Sequence, residues 1–249
     1  MTLQIVQISD THISNDFPQR LSDLENCVRA INELDTLPEL VVHTGDISHN
    51  GTSEEYHSAK DALNQLKVPY FVMAGNRDNR AQLLTAFADA RYQLPNDGWV
   101  QYSIEKYPIR LLMVDTVSEH SNKGQLCEAR LLHLEKMLMA DTSKPVCLFL
   151  HHTPFAAIGI PDPFQFEDWG DVDKLAAMLS RFSNINSIYC GHVHRFMEGE
   201  IAGLTASAIS CLAGDLRKGE VSDAQRQLPV FKELALPIQD KRADHPRNN

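Results

Sequence analysis

The stretch Leu3-Gln-Ile-Val-Gln-Ile-Ser-Asp-Thr-His12 joins a run of β-prone residues to a carboxylate and an imidazole. Four later stretches repeat this arrangement, since a short apolar run ends each time at a turn with polar side chains. The predicted strands are residues 3–8, 40–43, 68–73, 146–150 and 188–190. The turns that follow are Asp10-Thr-His12, Gly45-Asp46, Gly75-Asn76-Arg77-Asp78, His151-His152 and Gly191-His-Val-His194. Because the carboxyl ends of parallel strands share one sheet edge, these side chains are predicted to meet in one pocket.

Helical periodicity lies between the predicted strands. Apolar residues at steps of three and four predict a first helix, with Leu21, Leu24, Val28, Ile31 and Leu34 on its buried face. A second helix follows Asp46, with Thr52 and Glu55 as a capping box and Tyr56, Ala59, Leu63 and Leu66 as its stripe. Residues 125–140 and 172–182 predict two more helices. The alternation predicts an α/β fold with a parallel sheet, and the pattern around residues 100–115 predicts a hairpin in a second sheet.

Length and composition indicate an ordinary globular protein with one main domain. Of the 249 residues, 43% are hydrophobic and 22% are charged, a balance that is typical of globular domains. We predict a catalytic domain over residues 1–220 and a C-terminal extension over residues 221–249, in which the polar tail is expected to be disordered. No signal peptide and no membrane span are recognisable, so no membrane partner and a cytoplasmic location are expected.

Charge and cysteine content exclude some classes of function. The formal net charge of −10 argues against duplex nucleic acid as a partner, because binding to the phosphate backbone normally draws on a surplus of Lys and Arg. A small anionic substrate stays compatible with this charge if bound divalent cations reverse it locally. The five cysteines are widely spaced and show no C-x-x-C pattern, so they are predicted to be reduced rather than disulfide-bonded or zinc-binding.

The polar side chains of the five turns form a donor set suited to metal ions. The seven candidate ligands supply oxygen and nitrogen but no sulfur, and they are Asp10, His12, Asp46, Asn76, His151, His192 and His194. Such a set suits two divalent ions of Mn, Fe, Zn or Co, and the sequence leaves their identity open. Seven donors exceed the need of one catalytic ion with an open position, but suffice for two ions that share a carboxylate. Two such ions catalyse in-line displacement at phosphorus, so the predicted chemistry is phosphoester hydrolysis by a metal-bound hydroxide.

The order and spacing of these turns resemble the calcineurin-like metallophosphoesterase superfamily, and within it the class III cyclic-nucleotide phosphodiesterases and related glycerophosphodiesterases. The resemblance covers residues 3–212. It implies one metal site formed by Asp10, His12, Asp46 and His194, and a second formed by Asp46, Asn76, His151 and His192, with Asp46 bridging. It also implies a four-layer αββα sandwich of two mixed sheets flanked by helices, and a homodimer. His151 is assigned as a ligand by its place three residues before Pro154, and His152 is expected to pack or orient its neighbour.

Arg77 departs from the family pattern, which has histidine at this position in most members. Arginine donates hydrogen bonds to phosphate oxygens but cannot protonate a leaving group at neutral pH, so substrates with poor leaving groups should suffer most. We predict that Arg77 binds the substrate phosphate, with an ion pair to Asp78 as the alternative. His49, in the loop after Asp46, is a candidate for part of the missing catalytic role, against the alternative of an ordinary loop histidine. Alternatively, the metals or a metal-bound water stabilise the leaving alkoxide.

Several functions stay compatible with these residues. The first hypothesis is a dinuclear metal-dependent phosphodiesterase that acts on a small phosphodiester substrate, with 3',5'-cyclic nucleotides ahead of glycerophosphodiesters. A phosphomonoesterase or nucleotide pyrophosphatase would use the same metals. A metal-binding regulatory protein that kept the fold but lost turnover is the alternative suggested by Arg77. Arg195 and Arg217 could contact the substrate, but exposed arginines are usually only solvated, so neither is assigned to the site.

Overall fold

The computed structural model describes residues 2–88, 98–159 and 165–238, which form ten strands and six α-helices. In chain order the first half contains β1 (Thr2–Ile8), α1 (Gln19–Asn32), β2 (Leu40–His43), α2 (Ser53–Leu63), β3 (Tyr70–Val72), α3 (Arg80–Ala86), β4 (Tyr102–Ile104) and β5 (Arg110–Val114). The second half contains α4 (Glu128–Met139), β6 (Val146–Leu150), α5 (Trp169–Leu179), β7 (Ile185–Cys190), β8 (Met197–Ile201), β9 (Leu204–Ala208), α6 (Asp223–Arg226) and β10 (Lys232–Pro237). A short 3-10 helix spans Gly214–Leu216.

Two mixed sheets contain these strands. The first sheet has the order β10-β1-β2-β3, in which β1, β2 and β3 are parallel and β10 is antiparallel to β1. The second has the order β4-β5-β6-β7-β9-β8, in which β5, β6, β7 and β9 run parallel and the two outer strands are antiparallel to their neighbours. The hairpin predicted around residues 100–115 is β4 and β5. All five predicted strands are present, with ends that differ by up to three residues.

Side-chain alternation along the central strands explains how the two sheets and the helices pack. On β5, Leu111 and Met113 join the core shared with the first sheet, whereas Leu112 and Val114 join the core beneath α4 and α5. Strand β6 divides its side chains in the same way. Helices α1 and α2 cover the outer face of the first sheet with Leu24, Ile31, Tyr56 and Leu63. The predicted α/β class and the αββα layering are therefore confirmed.

The N-terminus of α2 shows half of the predicted capping box. The side chain of Thr52 accepts a hydrogen bond from the backbone N–H of Glu55, as predicted. The Glu55 carboxylate accepts its main hydrogen bonds from the Ser48 hydroxyl and from the backbone and side-chain N–H groups of Asn50, and the backbone N–H of Thr52 is the weakest of its partners. Glu55 therefore fixes the loop between β2 and α2 rather than completing the cap.

Part of the predicted C-terminal extension belongs to the first sheet. Strand β10 pairs with β1, with Leu236 opposite Leu3 and Leu234 opposite Ile5. Both leucines of β10 are buried, so this segment completes the core. The tail beyond residue 238, which was expected to be disordered, lies outside the described residues, and the domain boundary at residue 220 stays a prediction. In the described part of the chain, no helix has the length and apolarity required to span a bilayer.

Asp115, at the end of β5, ties the second sheet to the segment that follows β3. Its carboxylate accepts hydrogen bonds from Nε and Nη2 of Arg80, both at 2.8 Å, and from the backbone N–H groups of Val100 and Val117. Arg130 adds a third cationic contact at 3.3 Å. Burial opposes ionisation of Asp115, but these hydrogen bonds, led by Arg80, outweigh it and lower its pKa. Asp115 is therefore a buried anion whose charge is fully partnered.

Replacing Asp115 with asparagine is expected to lower the free energy of unfolding at pH 7 by about 3 kcal/mol, because the partly buried Arg80 and the buried Arg130 both lose a buried counter-ion. Since the pKa of Asp115 is depressed in the folded state, its contribution exists above its unfolded pKa of about 4 and disappears as the pH falls below that value. Urea denaturation should therefore show a difference between the variant and the wild type that shrinks below about pH 4. Glu119→Gln removes an exposed partner of Arg80 and should have little effect; an equal loss would contradict the argument from burial.

Candidate metal centre

Most of the residues with left-handed backbone lie at the predicted metal site. Among the residues that the structure describes, six other than glycine have a positive φ, and one of them is Ala202 in the turn between β8 and β9. The other five are all predicted ligands, namely Asp10 (56°), His12 (44°), Asp46 (53°), His192 (70°) and His194 (55°). Such a conformation is unfavourable for a residue with a Cβ and is found where function requires a particular side-chain direction. The backbone strain therefore coincides with the predicted site.

Backbone hydrogen bonds join the turns that carry these residues. The N–H of Asp10 donates to the carbonyl of Gly45, and the N–H of His12 donates to the carbonyl of Asp46. The turns after β1 and β2 thus form one unit. The N–H of His192, from the second sheet, donates to Oδ2 of Asp10 at 3.0 Å. The carboxyl ends of strands from both sheets therefore meet, as the sequence predicted.

Asp10, His12, Asp46 and His194 form the first cluster, and their ligand atoms all lie within 4.8 Å of one another. Nε2 of His12 lies 3.2 Å from Nε2 of His194 and 3.5 Å from Oδ2 of Asp46. Oδ1 of Asp10 lies 3.4 Å from Nε2 of His194, and it is a buried oxygen with no hydrogen-bond partner. A buried carboxylate oxygen without a donor is unfavourable unless a cation satisfies it. The donor set therefore fits a metal ion.

A second cluster lies beside the first and is formed by Asn76, His151 and His192. Nε2 of His151 lies 3.5 Å from Oδ1 of Asp46 and 3.1 Å from Oδ1 of Asn76. The ring centroid of His192 lies 5.1 Å from that of His151. Asp46 thus directs one carboxylate oxygen toward His12 and the other toward His151. This is the arrangement expected of a carboxylate that bridges two ions, so the structure brings all seven candidate ligands together.

Two of the histidines have a tautomer that suits ligation. Nδ1 of His151 lies 2.8 Å from the carbonyl oxygen of Thr44, and Nδ1 of His194 lies 3.0 Å from the carbonyl oxygen of Leu216. A carbonyl only accepts, so in each ring the proton is on Nδ1 when the imidazole is neutral, and the lone pair of Nε2 faces the cluster. This outer hydrogen bond is a usual feature of metal-binding histidines.

The protein environment favours ionised carboxylates within the cluster. Burial opposes ionisation of Asp46, but the neighbouring His151 and His12 outweigh it and lower the pKa of Asp46 to about 2. Burial lowers the pKa of His12 to about 4, which favours the neutral imidazole that binds metals. Asp46 and His12 are thus held in the protonation state that metal binding requires. For His151, burial is outweighed by the charge of Asp46, which raises its pKa to about 9, so binding of an ion there would release a proton.

His152 lies beneath the second cluster. Its Nδ1 lies 2.8 Å from the hydroxyl of Thr116, and its Nε2 lies 3.2 Å from the carbonyl oxygen of Asn122. Its ring centroid is 4.4 Å from that of His192. His152 also has ligand atoms within reach of His151 and His192. Because both of its nitrogens have partners in the loop after β5, the geometry favours the predicted orienting role over ligation.

Arg77 contacts His49 and not Asp78. Nε of Arg77 donates to the carbonyl of His49 at 3.1 Å, and Nη2 lies 3.3 Å from Nε2 of the same residue. The Asp78 carboxylate accepts from the backbone of Ile47, Ser48 and Gly75 and from the hydroxyl of Tyr56. Burial, followed by the charge of Asp46, raises the pKa of Asp78 to about 7. These contacts leave the ion pair between Arg77 and Asp78 without support.

A cavity of about 280 Å³ lies over the two clusters, and several of the residues that line it were not predicted from the sequence. His49 and Arg77 form part of its wall. The missed lining residues are Asn122, Gln165, Val193, Leu216 and Lys218. Val193 lies between the predicted ligands His192 and His194, and Leu216 ends the 3-10 helix. Asn122, Gln165 and Lys218 lie in loops whose sequence gives no signal of their place. Arg217 is buried and donates to the carbonyls of Cys211, Leu212, Gln225 and Leu228, which agrees with leaving it outside the site.

The sequence from residue 3 to residue 196 matches the family model described as calcineurin-like phosphoesterase. A probable glycerophosphodiester phosphodiesterase GpdQ from Arcobacter nitrofigilis is 37% identical over 224 residues, which cover 86% of this chain and 81% of the relative. A probable cyclic nucleotide phosphodiesterase from Rhodopseudomonas palustris is 30% identical over 216 residues, which cover 81% of this chain and 75% of the relative. Among solved structures, a dimetal phosphatase from Danio rerio is similar with a TM-score of 0.73 at 14% identity, over 94% of this chain and 92% of that chain.

Proposed function

Because the chain belongs to the calcineurin-like phosphoesterase family, we propose that it hydrolyses small phosphodiesters at a centre of two divalent metal ions. The observation that carries this proposal is the position of Asp46, whose two carboxylate oxygens each lie 3.5 Å from a histidine of a different cluster. The names of the relatives from Arcobacter nitrofigilis and Rhodopseudomonas palustris, both phosphodiesterases, support it.

The ligands of the two ions are assigned from the clusters. Asp10, His12, Asp46 and His194 hold the first ion, and Asp46, Asn76, His151 and His192 hold the second. When bound, two such ions activate a water molecule and stabilise the attacking and leaving oxygens of an in-line displacement at phosphorus.

Arg77 is proposed to bind the non-bridging oxygens of the substrate phosphate. Its backbone N–H donates to Oδ1 of Asp46 at 2.7 Å, so the residue is anchored to the bridging carboxylate. Its guanidinium group lines the cavity, where a planar set of donors suits two phosphoryl oxygens. Asn122, Gln165 and Lys218 line the same cavity and are placed to contact the ester groups.

The substrate class is proposed as small diesters, with cyclic nucleotides and glycerophosphodiesters as the two candidates. The sequence favoured cyclic nucleotides. The glycerophosphodiester alternative is supported by the name of the relative that is 37% identical.

Metal removal and reconstitution tests the function. Protein stripped with a chelator should not hydrolyse bis(4-nitrophenyl) phosphate, and Mn²⁺ should restore its turnover. The same assay compares 4-nitrophenyl phosphate, cyclic AMP and glycerophosphocholine, with bound metal measured by elemental analysis. Diester turnover with two ions per chain is the expected result. A preference for the monoester would contradict the proposed substrate class but would leave the assignment of the metal site unchanged. Two bound ions without turnover of any ester would indicate a regulatory protein.

Three further assignments stay predictions. The natural ions are proposed to come from Mn, Fe, Zn and Co, since the oxygen and nitrogen donors suit all of them. The homodimer and the cytoplasmic location likewise stay predictions.

A further inference from the structure

We infer that His49 is a positioning residue that holds Arg77 beside the metal centre, and that this pair makes the site selective for diesters whose leaving group departs without protonation. Aryl phosphodiesters have leaving groups of this kind, and so do nucleotide pyrophosphates, in which the leaving group is a phosphate. The inference rests on the proposed function and narrows its substrate class. Cyclic nucleotides and glycerophosphodiesters both release an alkoxide, so we expect both to be turned over more slowly than substrates with acidic leaving groups.

The first step is the contact between the two side chains. Two nitrogens of the Arg77 guanidinium engage His49, one at its carbonyl and one at Nε2 of its ring. Together with the hydrogen bond from its own backbone to Asp46, these contacts fix Arg77 at both ends. A long side chain that is held in this way loses less conformational freedom on binding a phosphate.

The second step is the tautomer of His49. A guanidinium group only donates hydrogen bonds, so Nε2 of His49 accepts one and the ring proton is on Nδ1. Nδ1 is buried and has no hydrogen-bond partner. The ring packs edge-on against His12 and Phe17, with centroid distances of 5.6 and 6.1 Å. Nε2 is engaged by Arg77 and Nδ1 is shielded from solvent, so the geometry favours support of Arg77 over proton donation.

The third step is the rigidity of the loop that carries His49. Its backbone N–H donates to the carbonyl of Ile13 at 2.9 Å. On either side, Ser48 and Asn50 donate hydrogen bonds to the buried Glu55 carboxylate. A loop that is anchored on both sides of His49 can hold its ring in one position.

The chemical consequence follows from the balance of the reaction. Water attacks phosphorus and loses a proton, the P–O bond to the leaving group breaks, and the leaving oxygen takes the bonding electron pair. Arg77 stays protonated throughout, so it stabilises charge on the phosphoryl group but gives no proton to the leaving oxygen. A general acid typically contributes about 10²–10⁴-fold, and an alkoxide needs this help far more than a phenolate or a phosphate does. The pair therefore favours acidic leaving groups.

The test uses Mn²⁺-loaded full-length protein and a series of methyl aryl phosphates in which only the substituent on the phenol varies. The expected result is a steep decrease of kcat as the pKa of the phenol rises. A diadenosine pyrophosphate should be turned over faster than cyclic AMP. Arg77→His, which introduces the histidine of the family pattern, should flatten the dependence. A shallow dependence in the wild type would overturn the selectivity, since it would mean that charge on the leaving oxygen is neutralised, either by a proton from a cavity residue such as Lys218 or by a bound ion.

Variants of His49 separate positioning from proton donation. His49→Ala should raise KM across the series by about tenfold, as expected for weakening one hydrogen-bonded charge, and leave the slope unchanged. His49→Gln places an amide oxygen near Nε2 and should restore most of the lost affinity, although it cannot act as an acid. If His49→Gln loses as much activity as His49→Ala, and if the loss is confined to substrates with poor leaving groups, His49 is the proton donor and the inference is wrong. His57→Gln, an exposed histidine of α2, is the matched control.

Calorimetric binding of inorganic phosphate to the Mn²⁺-loaded variants gives a measurement that does not depend on turnover. His49→Ala should weaken phosphate binding by about tenfold relative to the wild type, and His49→Gln should recover it. Equal affinity in all three proteins would overturn the positioning role. Absence of turnover combined with this affinity pattern would contradict the proposed function and leave the positioning role intact.

Discussion

Replacing Asp46 with asparagine is expected to reduce hydrolysis of bis(4-nitrophenyl) phosphate by about a thousandfold or more, equivalent to about 4 kcal/mol of transition-state stabilisation. Asp46 directs Oδ2 toward His12 and Oδ1 toward His151, so its carboxylate is the group shared by the two proposed ion sites. An amide has one neutral oxygen and an NH₂ group that cannot bind a cation. The variant should therefore lose at least one ion, and both kcat/KM and bound metal should fall together.

The control for Asp46 is another aspartate whose loss removes the same charge. Asp61→Asn changes an exposed residue of α2, so activity and metal content should stay close to those of the wild type. An Asp46→Asn protein that kept two ions and most of its activity would contradict the bridging assignment. Unfolding measured in parallel distinguishes a failed site from a failed fold.

Gly45→Ala is expected to destabilise the protein by about 3 kcal/mol or more, because it combines backbone strain with a steric conflict. Gly45 has a φ of 95°, and a Cβ there would lie 2.7 Å from the backbone nitrogen of Gly75 and 2.7 Å from Nδ1 of His151. Its carbonyl also accepts the hydrogen bond from Asp10. Urea denaturation of the metal-free protein should show the loss, and the displaced neighbours should weaken metal binding as well.

The variant Gly203→Ala separates the effect of backbone strain from that of the steric conflict. Gly203 lies in the turn between β8 and β9 with a φ of 75°, and nothing lies within 4 Å of a Cβ built there. This variant carries only the left-handed backbone penalty, about 1–2 kcal/mol. If both variants lost the same stability, the contacts around Gly45 would contribute nothing and the steric argument would be wrong.

The sequence predicts well those strands whose own residues form a recognisable apolar run. The apolar runs at residues 40–43 and 146–150 match β2 and β6, since both strands are buried on both faces and read as continuous hydrophobic stretches. The candidate ligands could be picked out because each lies in the turn that follows a predicted strand. Parallel pairing then brings the turns to one edge, whatever the details of the loops.

Other elements depend on contacts between distant residues and carry little local signal. Strand β10, with the sequence Lys232-Glu-Leu-Ala-Leu-Pro237, has only two large apolar residues, and only its pairing with β1 makes it part of the sheet. The stripe predicted for α2 included Leu66, but the helix ends at Leu63, where the chain turns toward β3. Lys218 reaches the cavity because its backbone N–H donates to the carbonyl of His194, and the spacing of these residues in the sequence does not predict this contact. Such features require the assembled fold.

The left-handed backbone of the five ligand positions sets stability and activity against each other. Glycine would adopt these conformations without a Cβ penalty, so selection for thermal stability alone would favour its appearance at Asp10, His12, Asp46, His192 and His194. Each such change would also delete a candidate metal donor. Evolution under a demand for heat resistance must therefore improve this protein elsewhere, for example in its helices and loops. At the edge of the sheets where the two clusters meet, substitutions that raise stability are therefore expected to lower activity.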